Sequence, residues 1–361
     1  MISLLASCSL LCLLPARQAY AQVVPATSAA SQYSLATSTS IPFPTATLAN
    51  TDTQSFLVAN WGLSKGKIQN GAADLAFVAD PFPNNPVPTA STGTNASAPV
   101  LRVTYPKGSF KDDNSGGAQM YALWNASSSA AGSTGAAFRS MMLSYEVAFD
   151  AGFDWVKGGK LPGIRGGPDP NGCSGGHQPN GSDCFSTRLM WRKDGAGEVY
   201  AYILRPNSIC SSANLTCNDD FGVSISRGSF SFASGQWNRV TLLVRLNSPV
   251  NVANGQVTVY YNDIEVLSQD NLQIRSSDVV TAGGLYFSTF FGGSDASWAA
   301  TNDTHTYFRN MQLWGSSAPS DLAGATVSGA RAARAGAAVH WALCVAAGGA
   351  LLVAGAGAGV L

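Results

Sequence analysis

Between residues 48 and 315 the chain shows no convincing amphipathic helix. Short apolar or alternating runs follow one another instead, separated by Gly, Asn, Asp and Pro. Successive side chains of a strand point to opposite faces, whereas a helix repeats about every 3.6 residues. Many short strands at close spacing bury their apolar faces only by packing sheet on sheet. The expected fold is therefore all-β, an antiparallel two-sheet jelly roll in a single domain. Strands are expected at Val100–Tyr105, Met141–Phe149, Ser186–Arg192, Glu198–Leu204, Gly222–Ser226, Trp237–Leu246, Gln256–Tyr261, Ile264–Leu267, Gly283–Phe290 and Thr306–Trp314. Asn262-Asp263 and Lys193-Asp194-Gly195-Ala196-Gly197 read as hairpin turns, because Asn, Asp and Gly tolerate the positive φ that tight turns require. Tyr286, Phe287, Phe290 and Phe291 read as core and groove lining.

The two ends have a different texture. Residues 1–21 carry an apolar core, Leu4 to Leu14, and finish Ala19-Tyr20-Ala21, the pattern of a cleaved export signal. Residues 22–47 are rich in Ser, Thr, Ala and Pro and read as a flexible leader. Residues 316–328 read as a short stalk, and 329–361 as the removed tail of a GPI-anchor signal with Ser328 as lipid site. A permanent transmembrane helix is the competing reading of that tail. Cys8, Cys12 and Cys344 leave with these ends. Cys173, Cys184, Cys210 and Cys217 remain, an even set that suits two disulfides, with local pairs the simplest of three connectivities. Sequons at Asn95, Asn125, Asn180, Asn214 and Asn302 are candidate glycosylation sites of an exported chain. Lysine plus arginine and aspartate plus glutamate both number 21, and no basic patch interleaves with aromatics, so nucleic acid is not an expected partner. The expectation is a secreted or cell-surface glycoprotein, monomeric, held to the membrane only through the lipid.

The chemistry concentrates between Gly158 and Tyr202. A glycine-rich loop carries Lys160. Ser186 and Arg188 are two residues apart, and so are Tyr200 and Tyr202. Folded about Asp194-Gly195, the hairpin sets Arg188 nearly opposite Tyr200, at roughly 5 Å. One face then carries a hydroxyl, a guanidinium and two phenols, while Leu189, Trp191, Val199, Ala201 and Ile203 face the core. A slip of one residue would reverse the faces. Each of these residues alone has an ordinary structural reading; their joint occurrence points to a site for an acidic sugar. Arg102, Gln119 and His177 are candidate substrate contacts, Arg102 and Gln119 on an adjacent strand and His177 in the insert between Cys173 and Cys184. Their ordinary readings are surface or salt-bridging groups.

These motifs resemble polysaccharide lyase family fourteen, the alginate-lyase-like and glucuronan-lyase-like jelly rolls with a concanavalin-A-like sandwich. The resemblance rests on Gly158-Gly159-Lys160-Leu161-Pro162-Gly163, on Ser186-x-Arg188, on Tyr200-x-Tyr202, on Arg102 to Gly108, and on Tyr307-Phe308-Arg309-Asn310-Met311. The cysteine-bounded insert departs from it. The resemblance implies that Lys160, Ser186, Arg188, Tyr200 and Tyr202 form the active site of a β-elimination on a uronic-acid polymer. Such a reaction needs a cation on the carboxylate, which a guanidinium fork matches, and a base and an acid, which tyrosines can supply. No metal or other cofactor is required, and the cysteine spacings do not suggest zinc. A silent carbohydrate-binding or wall protein on the same fold is the alternative. A glycoside hydrolase is weaker, because it would want paired carboxylates, and Glu146 and Glu198 stand alone.

Overall fold

A computed structural model of the chain describes residues 22–89, 98–111, 116–124, 137–170, 172–206 and 209–327. The expected export signal, Asn95, Asn125, Ser328 and the tail 329–361 lie outside the described residues. The compact unit ends at Thr326. Among the described residues two α-helices, α1 (Ala26–Gln32) and α2 (Asn50–Asn60), accompany the strands. In chain order these are β1 (Thr37–Ser40), β2 (Leu75–Val78), β3 (Val100–Tyr105), β4 (Ala118–Leu123), β5 (Ser140–Phe149) and β6 (Gly158–Gly166). Next come β7 (Phe185–Arg192), β8 (Gly197–Tyr202), β9 (Leu215–Thr216), β10 (Val223–Ile225), β11 (Trp237–Arg245) and β12 (Val252–Ala253). The last are β13 (Gly255–Tyr261), β14 (Ile264–Leu272), β15 (Ala282–Phe291), β16 (Thr304–Ser316) and β17 (Ala325–Thr326).

They form the expected antiparallel sandwich. One sheet runs β14-β13-β11-β5-β16-β3-β2, with β1 also on β16; the other runs β4-β15-β6-β7-β8-β10-β9. The alternation of each strand decides what enters the space between them. Leu143, Tyr145, Val147 and Phe149 of β5 meet Leu189 and Trp191 of β7, Val199 and Ala201 of β8, and Leu285, Phe287 and Phe291 of β15 in one core. Ile203, just past β8, joins them. Asn262 and Asp263 both have positive φ and close the β13–β14 hairpin, where Tyr261 pairs with Ile264, as the sequence requires.

Two expectations about the ends need correction, and one helix was not expected. The Ser/Thr-rich segment is not a flexible leader. Helix α1 buries Ala29 and Ala30, β1 pairs with the second half of β16, and Leu35 packs with Met142, Leu243, Tyr260 and Trp314 on the outer face of the first sheet. Small side chains let backbone approach the sheet closely, so low hydrophobicity here is not disorder. Replacing Leu35, 5% exposed, by alanine is expected to cost about 2–5 kcal/mol, read as a shifted denaturation midpoint. The stalk also folds back: Ser320 donates to the Asn254 carbonyl, and β17 pairs with β12. Helix α2 escaped notice because only Thr53 and Leu57 of it are buried. Polar bonds hold it instead, from Asn50 to the Ala72 and Leu75 carbonyls and from Thr53 to the Leu48 carbonyl.

Candidate active site

Strand β6 is the principal correction near the chemistry. The glycine-rich segment expected as a loop is a central strand between β15 and β7. Its glycines are there because neighbouring chains come too close for a side chain. A Cβ on Gly159 would lie 2.1 Å from the Trp191 ring, and one on Gly163 would lie 1.9 Å from the Thr187 carbonyl oxygen. Pro162 sits where the pairing with β7 shifts between Leu161 and Gly163, a position that needs no ladder N–H. Its carbonyl accepts from the Tyr145 hydroxyl across the core.

The hairpin register is the expected one. Ser186 pairs with Tyr202 and Arg188 with Tyr200, while Met190 pairs with Glu198. On the other side Lys160 pairs with Met190, Gly163 with Arg188 and Arg165 with Ser186. Lys160, Arg188, Tyr200 and Tyr202 therefore share the sheet face turned away from the core. Two disulfides, Cys173–Cys184 and Cys210–Cys217, close local loops near it.

Arg188 is 2% exposed and held from one side. One terminal nitrogen donates to Ser288 Oγ at 3.0 Å and to the Tyr286 hydroxyl at 3.4 Å. Tyr286 and Ser288 both donate to Gln119 Oε1, at 3.1 and 3.2 Å. Gln119 thus reaches Arg188 only through Tyr286 and Ser288. The guanidinium lies 4.6 Å from the Tyr286 ring centre. Its Nε is buried without a hydrogen-bond partner. Beyond it, Tyr121 packs against Tyr286 with ring centres 4.7 Å apart and planes tilted by 47°, and Arg165 lies 4.3 Å over Tyr121.

Lys160 extends over the Tyr200 ring, its Nζ 3.6 Å from the centroid, and donates to the Met190 sulfur at 2.7 Å, a weak acceptor. Burial, then Arg188 and Arg192, pull its pKa well below the ordinary lysine value; Glu198 opposes and Arg227 adds to the fall. The unfolded chain therefore binds more protons between the folded and unfolded pKa values, and stability rises with pH through that window. Lys160→Met is expected to remove this rise and to raise the melting temperature at neutral pH, which a pH series of melts would show.

Both phenol oxygens accept a backbone N–H, Tyr200 from Gly222 at 3.1 Å and Tyr202 from Gly176 at 3.0 Å. Burial, then the neighbouring Tyr202, hold the Tyr200 pKa above its ordinary value, although the Gly222 bond and Arg188 pull it down. Glu198 is fully buried. Burial would raise its pKa, but Arg192, Ser224 and Arg227 outweigh that and hold it below the usual carboxylate range. It accepts from Arg192 on one oxygen, and from Ser224 and Arg227, both at 2.6 Å, on the other. A carboxylate so engaged does not suit hydrolase chemistry.

Two candidates, Arg102 and His177, are placed elsewhere, while Ser186 stays beside Tyr202 with its hydroxyl already spent. Ser186 is 1% exposed and donates to the Cys173 carbonyl at 2.6 Å, so its hydroxyl ties down the cysteine-bounded loop. Arg102 belongs to the other sheet. Leu101 and Val103 beside it enter the core, so period-2 alternation turns Arg102 to that sheet's outer face, in a cleft of about 500 Å³ with Asn50 and Thr104. His177 is exposed on the insert, 3.7 Å from Asp183. A cleft of about 600 Å³ on the outer face of the first sheet holds Glu146 and the two arginines that pair with it, Arg239 and Arg309.

Sequence reading did not single out Tyr121, Arg165 and Ser288, took Tyr286 only as core or groove lining, and weighed Glu198 only as a lone carboxylate. The signal was available. Tyr286 and Ser288 are two apart in an expected strand, the same spacing that singled out Ser186 and Arg188. Grouping Tyr286 with Phe287 and Phe291 hid it, because those two face the core.

The sequence model for polysaccharide lyase 14 matches residues 93–311. Among solved structures, the marine PL-14 alginate lyase from Aplysia kurodai is 28% identical with a TM-score of 0.59, over 76% of this chain and 100% of that one. A double variant of alginate lyase Aly36B, in complex with an alginate trisaccharide, is 18% identical with a TM-score of 0.54, over 78% of this chain and 99% of that one. At that identity the likeness shows the shared fold alone. No curated protein sequence matches.

Proposed function

The chain belongs to the polysaccharide lyase 14 family, and we propose that it cleaves a uronic-acid polymer of the alginate or glucuronan type by β-elimination. The observation that carries this reading is the convergence of Lys160, Arg188, Tyr200 and Tyr202 on one sheet face. A uronate C5 proton is weakly acidic while the adjacent carboxylate keeps its charge. Arg188 supplies the counter-charge. Its Nε lacks a partner, the state of a donor left for a ligand, and Ser288, Tyr286 and Gln119 fix its orientation from behind. Lys160, spent only on a sulfur and a ring face, is a second basic group turned to the same face. A base then takes the C5 proton, the electron pair forms the C4–C5 double bond, and the C4–O4 bond breaks with protonation of O4.

The two phenols divide the proton transfers. Tyr200, held above its ordinary pKa, is protonated at neutral pH and suits donation to O4. Tyr202, whose oxygen receives the Gly176 N–H, is left as the base. The test is the ultraviolet absorbance of the unsaturated uronyl product when the full chain is given alginate, polymannuronate, polyguluronate and glucuronan. A rise that Arg188→Ala and Tyr202→Phe abolish supports the reading; no rise on any polyuronate overturns it. Two disulfides and the expected export signal favour a reaction outside the cell, with Ser328 as the proposed lipid site. Release of activity from membranes by a phosphatidylinositol-specific phospholipase is expected, and retention would argue for a spanning tail.

A further inference from the structure

The two loops beside the disulfides converge on the two phenols. The Cys173–Cys184 loop gives the Gly176 N–H to Tyr202 and, through the Cys173 carbonyl, receives the Ser186 hydroxyl. The segment that follows the Cys210–Cys217 loop gives the Gly222 N–H to Tyr200. It is turned back on itself by Asn218, whose side-chain oxygen accepts from the Asp220 and Phe221 N–H groups. The two loops also hold each other, because Gln178 Nε2 donates to the Phe221 carbonyl at 2.9 Å.

We infer that the two loops form one positioning device, clasped by Gln178, that aims a backbone N–H at each tyrosine oxygen and so prepares the pair for proton transfer. The inference rests on the lyase reading for its consequence, but not for its geometry. An N–H donated to a phenol oxygen stabilises the phenolate and leaves the hydroxyl proton directed elsewhere. A backbone donor needs no side-chain ordering, but it is only as well placed as its loop, and these loops are rich in Gly, Pro, Asn and Ser. The disulfides and the Gln178 clasp supply the missing rigidity. Gln178 and the cysteines are positioning residues here; none of them reaches the substrate in this account.

The charged groups around the tyrosines must also enter any pH argument. They are Lys160 and Arg165 on β6, Arg188 and Arg192 on β7, Glu198 on β8, Arg205 past β8 and bonded to the Asn218 carbonyl, Arg227 just past β10, and His177, Asp183, Asp219 and Asp220 on the loops. Changing Gln178 alters none of these charges, so a shift in the pH profile of that variant reports on the phenols.

The experiment compares the parent with Gln178→Ala and with Cys173→Ser/Cys184→Ser. Loss of one neutral hydrogen bond predicts about a fivefold fall in kcat for Gln178→Ala, with KM little changed. Weaker donation raises the phenol pKa, so the ascending limb of the kcat profile should move up by about half a pH unit to one unit. The double cysteine variant should show the same shift, larger. A fall in kcat with an unmoved profile, or parent-like kinetics in the cysteine variant, would overturn the inference. Hydrogen exchange at the Gly176 amide tests the geometry without any turnover. It should be slow in the parent and fast in Tyr202→Phe and in the cysteine variant, each still folded by its melting curve. Fast exchange in the parent sinks the device even if the enzyme is active. Slow exchange in a parent inactive on every polyuronate sinks the substrate reading and leaves the loop geometry standing.

Discussion

Arg188→Lys is expected to lose nearly as much activity as Arg188→Ala, about two to three orders of magnitude in kcat. The charge is the same, so the difference lies in shape. The guanidinium donates from one edge to Ser288 and Tyr286, lies over the Tyr286 ring, and keeps Nε unpartnered. A lysine ammonium is a point charge on a flexible stem and does not present a planar fork to a carboxylate. It would also leave Ser288 and Tyr286 without the partner that orders them against Gln119. Initial rates on the best polyuronate, with melting curves to show that each variant folds, decide the matter. A lysine variant with parent-like kcat would mean that charge alone suffices, and the forked role would be abandoned.

Gly163→Ala is expected to destabilise the protein by about 3 kcal/mol or more, from a single methyl group. That methyl would lie 1.9 Å from the Thr187 carbonyl oxygen and 2.6 Å from the Arg188 Cα. Both are backbone atoms of the neighbouring strand, so relief requires moving β7, and with it Arg188. Activity should therefore fall together with stability. Gly292→Ala is the control: it lies near the same site, but its nearest contact would be an ordinary 3.7 Å. Equilibrium denaturation of the two variants should separate them clearly. A Gly163→Ala protein within about 0.5 kcal/mol of the parent would show that β6 and β7 do not approach this closely.

The hairpin about Asp194-Gly195 was legible because two periodicities agreed. Polar residues fell on one alternation and Leu189, Trp191, Val199 and Ala201 on the other, and the turn fixed the register. Strand β6 was not legible, since Gly158, Gly159 and Gly163 signal a loop unless one knows that Trp191 and Thr187 press against them. Arg102 was misplaced because a single strand does not say which sheet it joins or which way its polar face turns. The segment 22–47 was misjudged on composition. Its Ala29, Ala30 and Leu35 find a ready-made apolar surface on the back of the first sheet, which no local pattern reveals.

The bond between Gln119 and Ser288 joins residues 169 apart in sequence. By contrast, β6, β7 and β8 are consecutive strands joined by pairing of neighbours. Topology thus divides the site by contact order. The lysine, arginine and tyrosines lie on strands that are close along the chain, whereas β4 must cross a much longer loop to reach β15. A refolding chain would assemble the reacting face before the brace behind Arg188, so core tryptophan fluorescence should recover ahead of catalytic turnover.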